Sequence, residues 1–202
     1  MNRRSYHHGD LRRTLLSAAV AAINESGPAA LSLRDLARRA GVSHAAPAHH
    51  FGDKSGLLTA LATEGFDLLA AALSEARERT GDLLEVGVAY VRFAVDHRAH
   101  FEVMFRPDLY DADDPALQAA RDRSGEGLSL GVATLPKERV GGDALPAQIA
   151  AWSIVHGFAT LWLGGALPPE VGTDPEAAVR TMARFLFSDR GATSSSAPAS
   201  PR

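Results

Sequence analysis

The segment LSLRDLARRAGVSHAAPAHHFGDKSGLL, residues 31–58, constrains the fold more than any other part of the chain. It compresses two short helix patterns around the turn Ala40-Gly41-Val42 and ends at the mouth of a long apolar stripe. Ser32 stands before Leu33–Ala40 as an N-cap, with Asp35 three residues on to complete a capping box and Leu31 placed to meet Leu36 as a hydrophobic staple. Gly41 supplies the left-handed residue past the end of that helix, and Ser43 is placed to cap the next one, through about His50. With Ser43 as the cap, Pro47 costs this helix an early backbone bond.

The flanking sequence continues the helical reading. Leu11, Leu15, Ala18, Ala19, Ala22 and Ile23 recur at three- and four-residue spacing between Asp10, placed as an N-cap, and the stop at Gly27-Pro28. From about Asp53 to Thr80 one stripe carries Leu57, Leu58, Leu61, Leu68, Leu69 and Leu73 along a single long helix. Further helices are expected over 82–97, 99–105, 114–134, 145–164 and 175–188, and no alternating strand pattern competes with them. The expectation is an all-α chain of about nine helices, with a three-helix head over 1–52, a larger helical domain over 53–190, and a disordered tail over 191–202, where GATSSSAPASPR lacks apolar content.

Charge divides along the same boundary. Residues 1–56 hold eight Lys/Arg against four Asp/Glu, a net +4, while the remaining thirteen against twenty leave −7. Five of the eight histidines also lie in the first part, so one end of the chain is suited to phosphate and the rest repels it. The absence of cysteine excludes disulfides and thiolate metal sites and fits a reducing, cytoplasmic compartment. The basic N-terminus leads into an amphipathic pattern rather than an apolar signal core.

Two helices crossing at a glycine turn let the second lie in a major groove while the first braces across the backbone. On that geometry Ser43 and His44 meet base edges, Ala45 and Ala46 are small enough to approach thymine methyls, and His49 lies one turn on. Lys54 and the amides opening the long helix suit a phosphate. Ser32, Arg34 and His50 complete the residues expected at the DNA, and Arg3 and Arg4 could form a minor-groove arm or a frayed end.

GVSHAAPAHHFGDKSGLL resembles the recognition helix and following helix start of TetR-family transcriptional repressors, with Gly41, Val42, Ser43, His50, Phe51, Lys54 and Leu58 in their places. YHHGDLRRTLLSAA, residues 6–19, and Trp152-Ser153-Ile154-Val155-His156-Gly157 resemble the branch whose regulatory domain is named for Trp, His and Gly. The resemblance implies a homodimer that binds a roughly palindromic double-stranded operator, with helices around Ala147–Gly164 and Glu176–Phe187 as the dimer surface. It also implies a small-molecule effector, no cofactor, and no catalysis. One position departs from the pattern: where the family usually carries an aromatic that touches the DNA backbone, this chain has Ala48.

Other patterns have blander explanations. Gly127-Leu128-Ser129-Leu130-Gly131 spells G-x-S-x-G, with Asp143 and His156 following in hydrolase order, but no buried strand precedes it. His97 and His100 stand three apart across a helix junction, better suited to capping and surface roles than to a metal. Residues 149–167 reach the lower length of a membrane span but lack flanking cations and are interrupted by Ser153, His156 and Thr160. Phe93, Met104, Phe105, Tyr110, Trp152 and His156 are the candidates for an effector pocket, with core packing as the alternative for each. A helical adaptor that binds protein rather than DNA is the competing class.

Overall fold

Nine α-helices make up the described residues of a computed structural model, which covers the backbone of 3–135 and 143–187 and the side chains of 11–135 and 143–184. They are α1 (Arg3–Ser26), α2 (Leu33–Arg39), α3 (Ala46–Phe51), α4 (Lys54–Thr80), α5 (Leu83–Asp96), α6 (Arg98–Met104), α7 (Pro115–Val132), α8 (Leu145–Leu163) and α9 (Pro175–Phe187). Single 3-10 turns at Pro28–Ala30, Pro107–Leu109 and Pro169–Val171 join some of them, and no strand occurs among the described residues. The tail over 191–202 lies outside the described residues.

Most helix limits follow from capping chemistry. Asp53, Asp82 and Asp114 each accept a hydrogen bond from an amide in the first turn of α4, α5 and α7, satisfying donors that the helix leaves orphaned. α2 ends in a Schellman arrangement, with Gly41 at φ 66°, the Val42 amide on the Ala37 carbonyl at 3.0 Å and the Gly41 amide on Arg38 at 3.3 Å. Only a residue without Cβ takes that conformation without strain, and it is what turns the chain into α3.

Three sequence expectations about starts are corrected. α1 begins at Arg3, so Asp10 lies inside the helix; apolar periodicity marks the buried face, and the polar turns before it carry none. Ser32 occupies the N-cap position of α2 but makes no side-chain capping bond, and the Asp35 carboxylate, drawn to Arg38 and Arg39, does not supply the other half of the box. α3 starts at Ala46 behind Ala45, not behind Ser43, so buried Pro47 falls in the first turn, where its missing N–H is an orphan anyway, and the expected cost does not arise.

One apolar core runs from Leu15, Ile23 and Leu36 of the head through Leu57, Leu61 and Leu69 of α4 to Tyr90, Met104 and Leu117 beyond it. Helix α4 is therefore a shared beam: its first turns close the head, and its later turns pack on α5, α6 and α7. At Gly65 the approach of α6 is so close that a Cβ would stand 2.6 Å from the Met104 sulfur. A second core of Val88, Val91, Phe158 and Val179 joins α5, α8 and α9. There Arg180 of α9 forks onto the Glu85 carboxylate of α5 at 2.9 and 3.0 Å.

Candidate nucleic-acid interface and effector cavity

Burying Pro47 fixes which side of α3 faces out. Ser43, His44, Ala45, Ala48 and His49 are all exposed, Ala46 is half-buried, and no acidic side chain belongs to this stretch. Ser32 and Arg34 are exposed at the start of α2, and Arg34 carries no ion pair among the described residues. His50 instead is half-buried, its ring 6.3 Å from Phe51, which in turn lies under the Arg12 guanidinium at 5.3 Å. It therefore backs the exposed surface rather than lying on it.

Two expected phosphate contacts are already engaged. Lys54 Nζ donates to the Ala29 carbonyl at 2.8 Å, tying the first turn of α4 to the turn before α2 and leaving two of its three protons. The anion position at the start of α4 is held by the chain's own Asp53 carboxylate on the Gly56 amide at 2.9 Å. Arg38 and Arg39 converge on Asp35, and Arg39 also reaches Glu25 of α1 at 2.8 Å. These guanidiniums, Arg39 foremost, hold the exposed Asp35 carboxyl below its ordinary range. The α3–α4 junction is tight: a Cβ on Gly56 would stand 2.0 Å from the Phe51 carbonyl oxygen.

Between α4, α5, α6, α7, α8 and α9 lies a cavity of about 1300 Å³. Leu69, Leu73, Val86, Met104 and Ile154 form much of its wall. Trp152 Nε1 donates to the Tyr90 hydroxyl at 3.2 Å, and that hydroxyl stands 2.9 Å from His156 Nδ1. Burial pushes the Tyr90 phenol up and the His156 imidazole down, so both are neutral near pH 7. Because Trp152 can only donate, the bond order that satisfies all three groups runs Trp152 to Tyr90 to His156 Nδ1, leaving the imidazole proton on Nε2. Phe105 sits edge-on to His156 at 4.5 Å and near Phe66 at 5.8 Å, making a continuous aromatic wall.

Of the residues expected to line a pocket, Met104, Phe105, Trp152 and His156 do. Phe93 and Tyr110 do not: Phe93 is buried core, and the Tyr110 hydroxyl is spent on the Met104 carbonyl at 2.6 Å. Tyr90 and Arg121 line the cavity and were missed, since Tyr90 sits in an unbroken apolar stretch of α5 and Arg121 in a polar run of α7.

Comparison with known proteins decides the affiliation. The family model described as "Tetracyclin repressor-like, C-terminal domain" matches residues 83–186, and that of "Bacterial regulatory proteins, tetR family" matches residues 15–61. The chain belongs to the TetR family. It is similar to the HTH-type transcriptional regulator BetI of Yersinia pestis (strain Pestoides F), 47% identical over 49 residues, 24% of this chain. The match spans only 25% of that relative's length. A protein of unknown function from Rhodococcus sp. RHA1 is 36% identical, with 92% of this chain and 97% of that chain covered at a TM-score of 0.73. The TetR family transcriptional regulator PfmR from Thermus thermophilus is 25% identical, with 85% of this chain and 96% of that chain covered at a TM-score of 0.66.

TetR-family membership makes the chain a transcriptional regulator rather than an enzyme. The G-x-S-x-G serine fits that: Ser129 lies in the interior of α7, bonding back to the Gly125 carbonyl at 3.1 Å, with no strand-to-helix elbow to expose it. His97 caps the α5–α6 junction, its ring 5.7 Å from that of His100, and no three His, Asp or Glu side chains converge on a metal position among the described residues. Among the described residues one helix, α4 rather than the segment at 149–167, is long and apolar enough to cross a bilayer, and half of its apolar window is buried inside the fold.

Proposed function

We propose that the chain is a homodimeric, effector-responsive repressor of a palindromic double-stranded operator, working in the cytoplasm. The observation that carries the reading is one continuous beam, α4, with an exposed basic reading surface at its first turn and a large apolar cavity against its middle. In this reading Ser43, His44, Ala45 and His49 meet base edges, with Ala46 close behind. Arg34, Ser32 and the free protons of Lys54 take phosphate oxygens, and His50 supports the surface from within.

The dimer is supported by α8, an apolar helix in which only Phe158 and Ala159 are buried. Leu145, Ile149 and Trp152 are 57%, 51% and 40% exposed and recur at four- and three-residue spacing on one face. A second copy covering this face would pair two heads, one for each half-site of the operator. A species that sediments as a monomer at micromolar concentration would contradict this.

Effector binding acts by shifting a population of states. Met104 and Phe105 line the cavity at the end of α6, and Met104 rests on Gly65 of α4, so a ligand that moves α6 moves the beam carrying the head. Reciprocity requires that operator DNA weaken effector binding by the same factor. Retention of fragments from the gene's own neighbourhood, with affinity that falls steeply as salt rises, is the expected result. Retention of none of them would favour a protein-binding adaptor.

A further inference from the structure

The cavity contains a positive charge that no carboxylate among the described residues pairs. Arg121 of α7 lines it, half-buried, and no Asp or Glu among the described residues lies within ion-pairing distance. Several other arginines meet a carboxylate, among them Arg39, Arg92, Arg98, Arg106, Arg123 and Arg180. Arg121 Nη2 donates to the Tyr110 hydroxyl at 2.6 Å, and that hydroxyl spends its own proton on the Met104 carbonyl, so it is fixed as an acceptor. The guanidinium also lies 5.5 Å from the Phe66 ring centre and 5.6 Å from that of Tyr110. The side chain is thus oriented before any ligand arrives, with most of its five N–H groups uncommitted.

The surroundings favour an anion. Among the described residues the one acid on the cavity wall, Asp82, is occupied in capping α5 through the Leu84 amide at 2.8 Å. A neutral ligand would leave a partly desolvated guanidinium unpaired, and a cation would be repelled by it. Most of the remaining wall is apolar, with Trp152, Tyr90 and His156 bonded to one another, and about 1300 Å³ exceeds what a small carboxylic acid fills.

Resting on the reading of this cavity as the effector site, we infer that the effector is an amphipathic monocarboxylate, its carboxylate received by Arg121 and its bulky apolar body by the aromatic wall.

The test uses three probes that share one body and differ in the head: pyrenebutyrate, pyrenebutanol and pyrenebutylammonium. Binding to the full chain is followed by energy transfer to pyrene from tryptophan, with Trp152→Phe locating the signal in the cavity. The acid is expected to bind at least about tenfold more tightly than the alcohol, as one charge-assisted bond warrants, and the ammonium most weakly. Arg121→Gln should bring the acid down to the affinity of the alcohol and leave the alcohol unchanged, while Tyr110→Phe keeps the preference. Should Arg121→Gln fail to fold, the ranking in the unaltered protein still decides. An acid no tighter than the alcohol overturns the inference and leaves the effector cavity standing; failure of all three probes to bind overturns both.

Discussion

In the head, Leu36 is buried in one core with Leu15, Leu57 and Leu61, and the outward face of α3 carries only small or polar side chains. Across α4, the same types of apolar residue surround open space of about 1300 Å³ instead of filling it. In the proposed reading, the difference marks two uses of one beam, one for DNA and one for an effector. A reading surface has to hold its shape against a rigid duplex and is packed to do so. A sensing domain needs room for a ligand and a packing arrangement that can change when the ligand enters.

This contrast can be broken first by truncation. Leu36→Ala, at a fully buried head position, should cost about 2–5 kcal/mol in urea unfolding, whereas Leu128→Ala on the cavity wall should cost less than about 1 kcal/mol because part of its surroundings is already empty. Equal losses would mean that the cavity is closed by packing in solution. Gly56→Ala separates the halves differently. Its Cβ would meet the Phe51 backbone carbonyl, so the α3–α4 junction must shift, at about 1–3 kcal/mol, with DNA retention lost and probe binding in the cavity kept.

Acid should act on the regulatory side with a smaller effect. His100 on α6 is buried with neither ring nitrogen hydrogen-bonded, and desolvation holds its imidazole below the ordinary range despite Glu64 nearby. His156 is depressed by burial as well. Both give up their protons more readily folded than unfolded, so their contribution to stability is complete above about pH 6.5 and is lost as the pH falls below it. Urea midpoints measured across that window should decline on acidification, and His100→Gln should flatten the decline. Smallest of all, Ala48→Tyr adds a hydroxyl at an exposed position of α3 and should tighten DNA binding by about 1 kcal/mol with little change in preferred sequence, read by gel-shift titration.

The head was legible because its chemistry is local. The glycine at φ 66° and the apolar stripe of α4 act within a few residues, so the order of α2 to α4 and the length of α4 were read directly, while the start of α3 was placed two residues early. What misled at this scale was competition between partners, since Asp35 had arginines to choose over its capping role. The cavity was only half legible. Met104, Phe105, Trp152 and His156 stood out as large or polar groups in apolar helices, yet nothing in the periodicity distinguishes a side chain facing a void from one facing a neighbour, so Phe93 was included. Tyr90 and Arg121 acquire their roles from partners 66 and 11 residues away, which no local pattern encodes.

The claim that α3 reads bases is tested most directly by fluorescence anisotropy on a retained genomic fragment, comparing the unaltered chain with the His44→Ala, His49→Ala double variant. Both residues are exposed, so the thermal midpoint should be unchanged. The account predicts that the double variant binds this fragment at least about tenfold more weakly, approaching its affinity for random DNA. Equal affinity of the two proteins for the fragment would contradict it.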